Sequence, residues 1–355
     1  MSVHILDAMA REGFEQTIAI HHRASGLRAF LGVHDTVRGP AFGGIRRRAY
    51  RDEREMLLDC LRLSRAMTHK AALLDLPAGG GKIVLWDREE VDWEQAYRHV
   101  GEVVESFGGR FYTGPDVGTG PNELGEVARA TRFVTDPGDQ GPGELAEATA
   151  EGVFQGIAAG LRARFGETDW EHRTVVVQGL GAVGALVADR LVARGAEVIG
   201  ADLDEERVEE VGARLGIRTV DAAKALDVPC DVFSPNALGG LLHDLSLSRL
   251  RCQIIAGGAN NQLARALAGD ELFDMDVLYV PDFVINSGAL VRGTIFHLEG
   301  RREPVEAIGL RIGAAAAEIL EAAEAEGDAP ARVAVRMAER RIAAWREAAR
   351  SPVRG

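Results

Sequence analysis

The chain has 355 residues, 46% of them hydrophobic, and a formal net charge of −13. That length exceeds one small core and predicts two domains, while the acidic balance argues against nucleic acid or an anionic membrane surface as the main partner. Three cysteines, Cys60, Cys230 and Cys252, are odd in number and widely spaced, which argues against a disulfide framework and for a reducing, cytoplasmic setting. No apolar leader is read at the start, and no run approaches the roughly 20 apolar residues of a membrane span.

Residues 14–35 read as two short strands, around Thr17–Ile20 and Arg28–His34, joined by Ser25-Gly26. Gly39-Pro40-Ala41-Phe42-Gly43-Gly44-Ile45-Arg46 is a glycine-punctuated loop running into Arg46-Arg47-Arg48, read either as a solvated face or as a contact to a ligand or neighbouring subunit. The segment Asp52–His69 has helical apolar spacing and an acidic first turn, and ends beside Lys70. Next come Gly79-Gly80-Gly81-Lys82, read as a loop that lets backbone and ligand approach closely, and the strand Ile83-Val84-Leu85-Trp86. A lysine at the mouth of such a strand is partly desolvated, which lowers its proton affinity and suits it to act as a base. Two lysines, Lys70 and Lys82, delivered to one cleft suggest one that holds an anionic substrate and one that moves protons.

Trp93–Phe107 reads as an amphipathic helix stopped by Gly108-Gly109, and Arg110–Thr113 as a short strand running into Gly114-Pro115-Asp116-Val117-Gly118. Asp116 stands where a working carboxylate stands in an α/β fold, but on these residues alone a helix cap or Asx turn is the favoured reading. Asp136–Gly143, dense in Gly and Pro, marks a domain boundary, and helix Glu144–Phe165 follows with Thr149 in its early turns.

Thr174-Val175-Val176-Val177-Gln178 is an apolar strand leading directly into Gly179-Leu180-Gly181-Ala182-Val183-Gly184, a helix to Arg194, and a second strand Glu197–Ala201 ending at Asp202. This is the dinucleotide fingerprint in its required context: Gly179 for the tight turn, Gly181 for approach to the pyrophosphate, and Gly184 for helix–strand packing. The pyrophosphate is expected on the helix N-terminus, at Ala182 and Val183. Asp202 is placed to accept from the adenosine ribose hydroxyls; a 2′-phosphate there would meet a like charge, so NAD is favoured over NADP. Asp204 is read as the cap of the next helix. Further strands are expected at Gly216–Val220, Asp231–Ser234, Gln253–Ala256 and Val277–Val280. The loops Gly257–Gln262 and Pro281–Gly288 at strand ends should face the cofactor, with Asn260, Asn261 and Asn286 read either as ligand-binding amides or as turn formers. Glu303–Arg350 is alanine-rich, amphipathic and helical. No metal-ligand spacing is present: His21-His22 is adjacent rather than i, i+4, and there is no C-x-x-C.

Six motifs together resemble the Glu/Leu/Phe/Val dehydrogenase family, in particular its leucine, valine, phenylalanine and tryptophan dehydrogenase branch. They are Gly39–Gly44, Met67-Thr68-His69-Lys70, Pro77–Lys82, Gly114-Pro115-Asp116-Val117, Ala259-Asn260-Asn261-Gln262 and Pro281–Asn286. The resemblance implies two α/β domains with a cleft between them. Residues 1–140, receiving also the helices of about 327–355, would bind substrate, and 141–326 would be the Rossmann NAD-binding domain. It implies reversible NAD-dependent oxidative deamination of an L-amino acid to a 2-oxo acid and ammonia, by a homo-oligomer. It assigns the substrate carboxylate to Lys70 with Gly43 and Gly44, catalysis to Lys82 and Asp116, a cleft amide to Asn261, and the cofactor's surroundings to Thr149, Asn260 and Asn286. Met67, Phe42, Pro115 and Leu290 fall around the substrate, and the apolar wall of the last three favours a hydrophobic amino acid. The volume of Phe42 favours a branched aliphatic side chain, whereas Thr113-Gly114-Pro115-Asp116 looks like the phenylalanine branch. Departures from the family pattern are Asn236 where cysteine is common, and Gly258 and Ser287 near the nicotinamide.

Two other function classes make different demands on the sequence. A non-catalytic NAD-binding regulator predicts loss of Lys70, Lys82 or Asp116, and all three are present. A 2-hydroxy acid dehydrogenase calls for a histidine base with a carboxylate partner and a carboxylate-binding arginine, where this chain offers a lysine.

Overall fold

The computed structural model describes residues 5–135, 141–237 and 239–350; most of the expected boundary loop, Asp136–Gln140, lies outside them. The chain forms two compact α/β units. The first comprises Met1–Gly143, Gly293–Arg302 and Ala338–Gly355; the second comprises Glu144–Arg292 and Glu303–Met337.

The first unit opens with α1 (Ile5–Glu12) and continues through β1 (Gln16–His22), β2 (Leu27–Asp35), β3 (Ala41–Phe42) and β4 (Ile45–Arg48). It goes on through α2 (Glu53–Leu73), β5 (Gly79–Trp86), α3 (Trp93–Ser106), β6 (Phe111–Tyr112) and α4 (Pro121–Ala128). β1 and β2 form an antiparallel hairpin and β2 runs antiparallel to β5. Beyond β5, β3 and β4 lie end to end along its other edge, both parallel to it, and β6 pairs with β3. Helix α2 starts where the carboxylate of Asp52 accepts from the Glu55 N–H at 2.8 Å, and Glu53 and Glu55 complement the helix dipole.

The three glycines expected in a loop are in fact part of β5. Their reason is packing. A Cβ on Gly79 would land on the Asp35 carbonyl, one on Gly80 on the Thr68 N–H of α2, and one on Gly81 on the Phe111 ring. The absent side chains thus let α2 and β6 close directly onto the strand that carries Lys82.

The second unit begins with α5 (Leu145–Phe165), which Gly166 ends in the left-handed region at φ 82°. A regular alternation follows: β7 (Thr174–Gln178), α6 (Ala182–Ala193), β8 (Glu197–Ala201), α7 (Glu205–Leu215), β9 (Arg218–Thr219), β10 (Cys230–Pro235), α8 (Asp244–Leu247), β11 (Cys252–Ile255), α9 (Leu267–Asp274) and β12 (Leu278–Tyr279). The chain closes with α10 (Asp282–Ile285), α11 (Gly288–Glu299), α12 (Val305–Glu326) and α13 (Pro330–Arg350). The sheet order is β12-β11-β10-β7-β8-β9 and every pairing is parallel. The first strand of the unit is central and the order reverses between β7 and β10, the arrangement in which ligands bind beyond the carboxyl ends at the switch point.

The last turns of α13 belong to the first unit. There the Arg346 Nε donates to Asp35 at 2.7 Å and the Arg341 Nη1 to the Leu73 carbonyl at 2.8 Å. Among the described residues no helix is long and apolar enough to cross a membrane, and no His, Cys, Asp or Glu cluster is arranged to hold a metal ion.

Because the Cβ of Gly80 would meet backbone rather than a movable side chain, Gly80→Ala should force α2 away from β5. A loss of about 3 kcal/mol or more is expected in urea unfolding, against no loss, and a gain of up to about 1 kcal/mol from helix propensity, for Gly125→Ala in α4, where a Cβ would meet nothing.

Candidate active site

Two sets of residues stand out, one in each unit. In the first, Lys82 lies midway along β5 with its side chain only 7% exposed, and its Nζ is 2.7 Å from Asp116 Oδ2. The Gly43-Gly44 break between β3 and β4 brings that carboxylate in. A Cβ on Gly43 would collide with the Gly81 carbonyl, and one on Gly44 with the Pro115 carbonyl. The Gly43 N–H donates to Tyr112 at 3.1 Å and the Ile45 N–H to Gly114 at 2.9 Å, so the 113–116 segment is laced against this bend.

Asp116 neither caps α4, whose N-cap is Gly120, nor uses its side chain in a turn. Both carboxylate oxygens are turned to cations, which overturns the cap reading favoured from the sequence. The second cation is Arg46. Its Nε donates to Asp116 Oδ2 at 2.9 Å and its Nη2 reaches Oδ1 at 3.4 Å, while Nη1 reaches Asp59 Oδ2 at 3.4 Å. Asp59 also accepts from the Tyr50 hydroxyl at 2.9 Å and from Arg62 at 2.6 Å. Burial alone would raise the Asp116 carboxyl, but the charges of Lys82 and Arg46 outweigh it and hold that group far below the usual carboxylate range. Burial would likewise raise Asp59, yet hydrogen bonding and charge from Arg62 and Arg46 bring it down.

Of the three arginines read as a possible solvated face, Arg46 is therefore buried. Arg47 lies over the Trp93 ring at 4.7 Å and Arg48 over Tyr50 at 5.2 Å. The strand alternation of Ile45–Arg48 carried no decisive signal for Arg46. Asp59 did carry one: it is an acid among Met56, Leu57, Cys60 and Leu63 on the buried face of α2, and a buried carboxylate demands a cation.

Lys70 is half-buried on the last turn of α2, two residues beyond the Thr68 backbone that abuts Gly80, and Met67 is half-buried on the same turn. Phe42 is buried and stacks on Tyr112 with centroids 4.8 Å apart; Tyr112 in turn meets His297 at 4.9 Å. His297 Nε2 lies 3.0 Å from Thr135 Oγ1, and burial lowers its proton affinity to about 4, so it is neutral near pH 7. Pro115 is exposed, and Leu290 is half-buried on α11 in the second unit.

In the second unit Gly179 turns at φ 90°, and a Cβ on Gly184 would strike the Gly179 carbonyl. Around Gly181 a Cβ would meet nothing within 4 Å, although this residue is the N-cap of α6 and offers no side chain to it. The first N–H groups of α6, at Ala182 and Val183, thus border open space, as an anion at a helix N-terminus requires. Asp202 directly follows β8, where its Oδ2 accepts from the Leu180 N–H at 2.7 Å and its Oδ1 from the Asp204 N–H at 3.0 Å. Arg207 Nη1 sits 3.3 Å from both oxygens. Asp204 caps α7 through the Arg207 N–H. An open glycine cradle, unclaimed helix N–H groups and a carboxylate at the end of the second strand fit a nicotinamide dinucleotide of the NAD(P) kind.

The loops beyond β10, β11 and β12 are tied together by amides. Asn236 Nδ2 donates to the Ser234 carbonyl at 2.9 Å, and its Oδ1 accepts from the Gly258 N–H at 2.8 Å. Asn286 Nδ2 donates to Asn260 Oδ1 at 2.9 Å, and buried Asp282 accepts from the Gln262 N–H at 2.9 Å. Asn260 and Asn261 are exposed, with Asn261 in the left-handed region at φ 54°. Asn236 thus does structural work through hydrogen bonds that a cysteine would not make. Thr149 is half-buried on α5, where its hydroxyl donates to the Leu145 carbonyl at 2.9 Å.

Residues 15–133 match the family described as Glu/Leu/Phe/Val dehydrogenase, dimerisation domain. The chain is 34% identical over 350 residues to leucine dehydrogenase of Thermoactinomyces intermedius, covering 97% of this chain and 94% of that one. It is 37% identical over 304 residues to phenylalanine dehydrogenase of the same organism, covering 84% and 83%. Among solved structures it superposes on L-tryptophan dehydrogenase from Nostoc punctiforme with a TM-score of 0.84 and 33% identity, over 96% of this chain and 99% of that one.

The contribution of the Asp116 charge to stability has a defined pH window. A carboxyl whose folded proton affinity is depressed stabilises the protein above its unfolded value, about 3.9, and loses that contribution as pH falls through the folded value. Wild type should therefore exceed Asp116→Asn by about 3–5 kcal/mol in urea unfolding near neutrality, a gap that narrows only below about pH 4.

Proposed function

The chain belongs to the Glu/Leu/Phe/Val dehydrogenase family, and from that premise we propose that it catalyses the NAD-dependent, reversible oxidative deamination of a hydrophobic L-amino acid to a 2-oxo acid and ammonia. The observation that carries this reading is the buried contact between Lys82 and Asp116, 2.7 Å long. An ammonium and a carboxylate in direct contact form a proton-transfer pair, and burial next to Arg46 makes a purely structural pair costly to retain.

The bound dinucleotide supplies the acceptor for the hydrogen leaving the substrate's α-carbon. The chain's own groups do the rest. Lys70 receives the substrate carboxylate, supported by backbone at Gly43 and Gly44, and fixing that end of the substrate supplies orientation worth several kcal/mol of barrier. Lys82 activates the water that attacks the oxidised carbon, and Asp116 passes protons to and from the departing nitrogen. In the second unit the N–H groups at Ala182 and Val183 take the pyrophosphate, Asp202 takes the adenosine ribose hydroxyls, and Thr149, Asn260, Asn261 and Asn286 surround the nicotinamide end. NAD is preferred over NADP because the Asp202 carboxylate is already fixed by two N–H groups and would repel a 2′-phosphate.

A branched aliphatic amino acid is the preferred substrate, because Phe42 is committed to stacking on Tyr112 and fills volume an aromatic side chain would need. The competing aromatic reading draws on Thr113-Gly114-Pro115-Asp116, which resembles the phenylalanine branch of the family. We further propose a homo-oligomer, supported by the match of the first unit to a dimerisation domain.

Purified protein with NAD and a panel of L-amino acids in mildly alkaline buffer should form NADH with leucine, valine or isoleucine at a kcat/KM at least about 10-fold above phenylalanine or tryptophan, the size of discrimination a few methylenes give. Lys82→Ala should abolish turnover while NAD binding, followed by calorimetry, is retained; normal turnover by this variant would refute the assignment. Asp202→Ala should narrow the NAD-over-NADP ratio of kcat/KM by about 10-fold or more, one lost charge-assisted contact.

A further inference from the structure

Arg46 is a charged side chain only 8% exposed that the proposed chemistry does not use. β4 and β5 are parallel with Arg46 opposite Val84. Since side chains two apart share a sheet face, Arg46 and Lys82 emerge on the same face of adjacent strands, and Asp116 lies against both.

The two oxygens of Asp116 are unequally engaged. Oδ2 receives Lys82 at 2.7 Å and the Arg46 Nε at 2.9 Å, whereas among the described residues the hydrogen bond to Oδ1 is the longer one from Arg46 Nη2, at 3.4 Å. The third arm of the guanidinium faces Asp59, itself held by Tyr50 and Arg62. A planar fork anchored on a second carboxylate cannot rotate freely, so it fixes the plane of the first.

We propose that Arg46, anchored by Asp59, is a positioning residue that saturates Oδ2 of Asp116 and leaves Oδ1 as the oxygen that exchanges protons with the substrate nitrogen. This rests on the reading of Asp116 as the proton-transfer carboxylate. The charged and titratable groups facing the pair are Lys82 from β5, Asp59 and Arg62 from α2, and Tyr50 from the turn after β4. The Asp59 charge balances that of Arg46, so the buried set of Lys82, Asp116, Arg46 and Asp59 is neutral as long as Asp116 is ionised.

The test compares Arg46→Lys, Arg46→Gln, Asp59→Asn and Asp116→Asn in full-length protein, with NAD binding as the check of folding. Arg46→Lys keeps the charge and loses the fork. Its kcat should fall by about 100-fold, the scale of a misoriented catalytic group, with the amino-acid KM within about threefold and the acid limb of kcat/KM unmoved. Arg46→Gln should show the same loss together with an acid limb moved to higher pH, because Asp116 loses a cation. Asp59→Asn should lower kcat without moving the limb upward. Wild-type kcat in Arg46→Lys and Asp59→Asn, or a loss confined to KM, overturns the proposal. If Asp116→Asn alone is inactive in that case, the reading of Asp116 stands and only the role of Arg46 falls. Full turnover by Asp116→Asn removes the reading itself. Should Arg46→Gln fail to bind NAD, the other two variants still decide.

Discussion

A row of four buried charges, Lys82, Asp116, Arg46 and Asp59, imposes the main constraint on the first unit. Each side chain is 10% exposed or less. Taking such groups out of water costs several kcal/mol apiece, and their mutual attraction offsets this only when contact geometry is close and further hydrogen bonds complete each group. Tyr50 and Arg62 complete Asp59 at one end, and Lys82 completes Asp116 at the other. For the contacts to be short, β4 and β5 must be adjacent and in one register, α2 must press on β5, and the 113–116 segment must run along the bend at Gly43-Gly44. The last two of those approaches are made where glycines stand, at Gly80 and Gly44, so the density of glycine here follows from the need to bring ionic side chains together by bringing backbones together.

The second unit obeys a different rule. Its parallel sheet is a scaffold whose strand order collects loops at one edge. The amides of Asn236 and Asn286 and the carboxylate of Asp282 then stitch those loops to one another, and the Gln262 amide braces its own loop on the Gly257 carbonyl. Precision comes from hydrogen bonds between loops, because exposed Asn260 and Asn261 are not fixed by packing.

Much of this was legible in the sequence where the signal is local. Strand–glycine–helix order around Gly179–Gly184 is set by residues adjacent in the chain, and both its elements and its turn were readable. Helix α2 was readable from its apolar spacing and its acidic first turn. What escaped depends on residues distant in the chain. Gly79–Gly81 read as a loop because their partners, at Asp35, Thr68 and Phe111, are invisible locally. Arg46 read as a possible surface residue because its partners are Asp59 and Asp116, the latter 70 positions away. Asp116 read as a cap for the same reason. The short strands β3 and β4 exist through their pairing with β5 and, for β3, also with β6, and have little local signature.

The path of the chain has a consequence for biosynthesis. Residues leave the first unit after Gly143, return for Gly293–Arg302, and return again from Ala338, with α11 and α13 each contributing residues to both units. Proteins made of consecutive domains fold each one as it emerges from the ribosome. Here the sheet that carries Lys82 is synthesised before the second unit, yet Asp35 and the end of α2 receive Arg346 and Arg341 only after the second unit has been made. The first unit therefore stays incomplete until the second has been synthesised, which exposes its apolar strands to chaperones or to aggregation for longer than a contiguous domain of the same size.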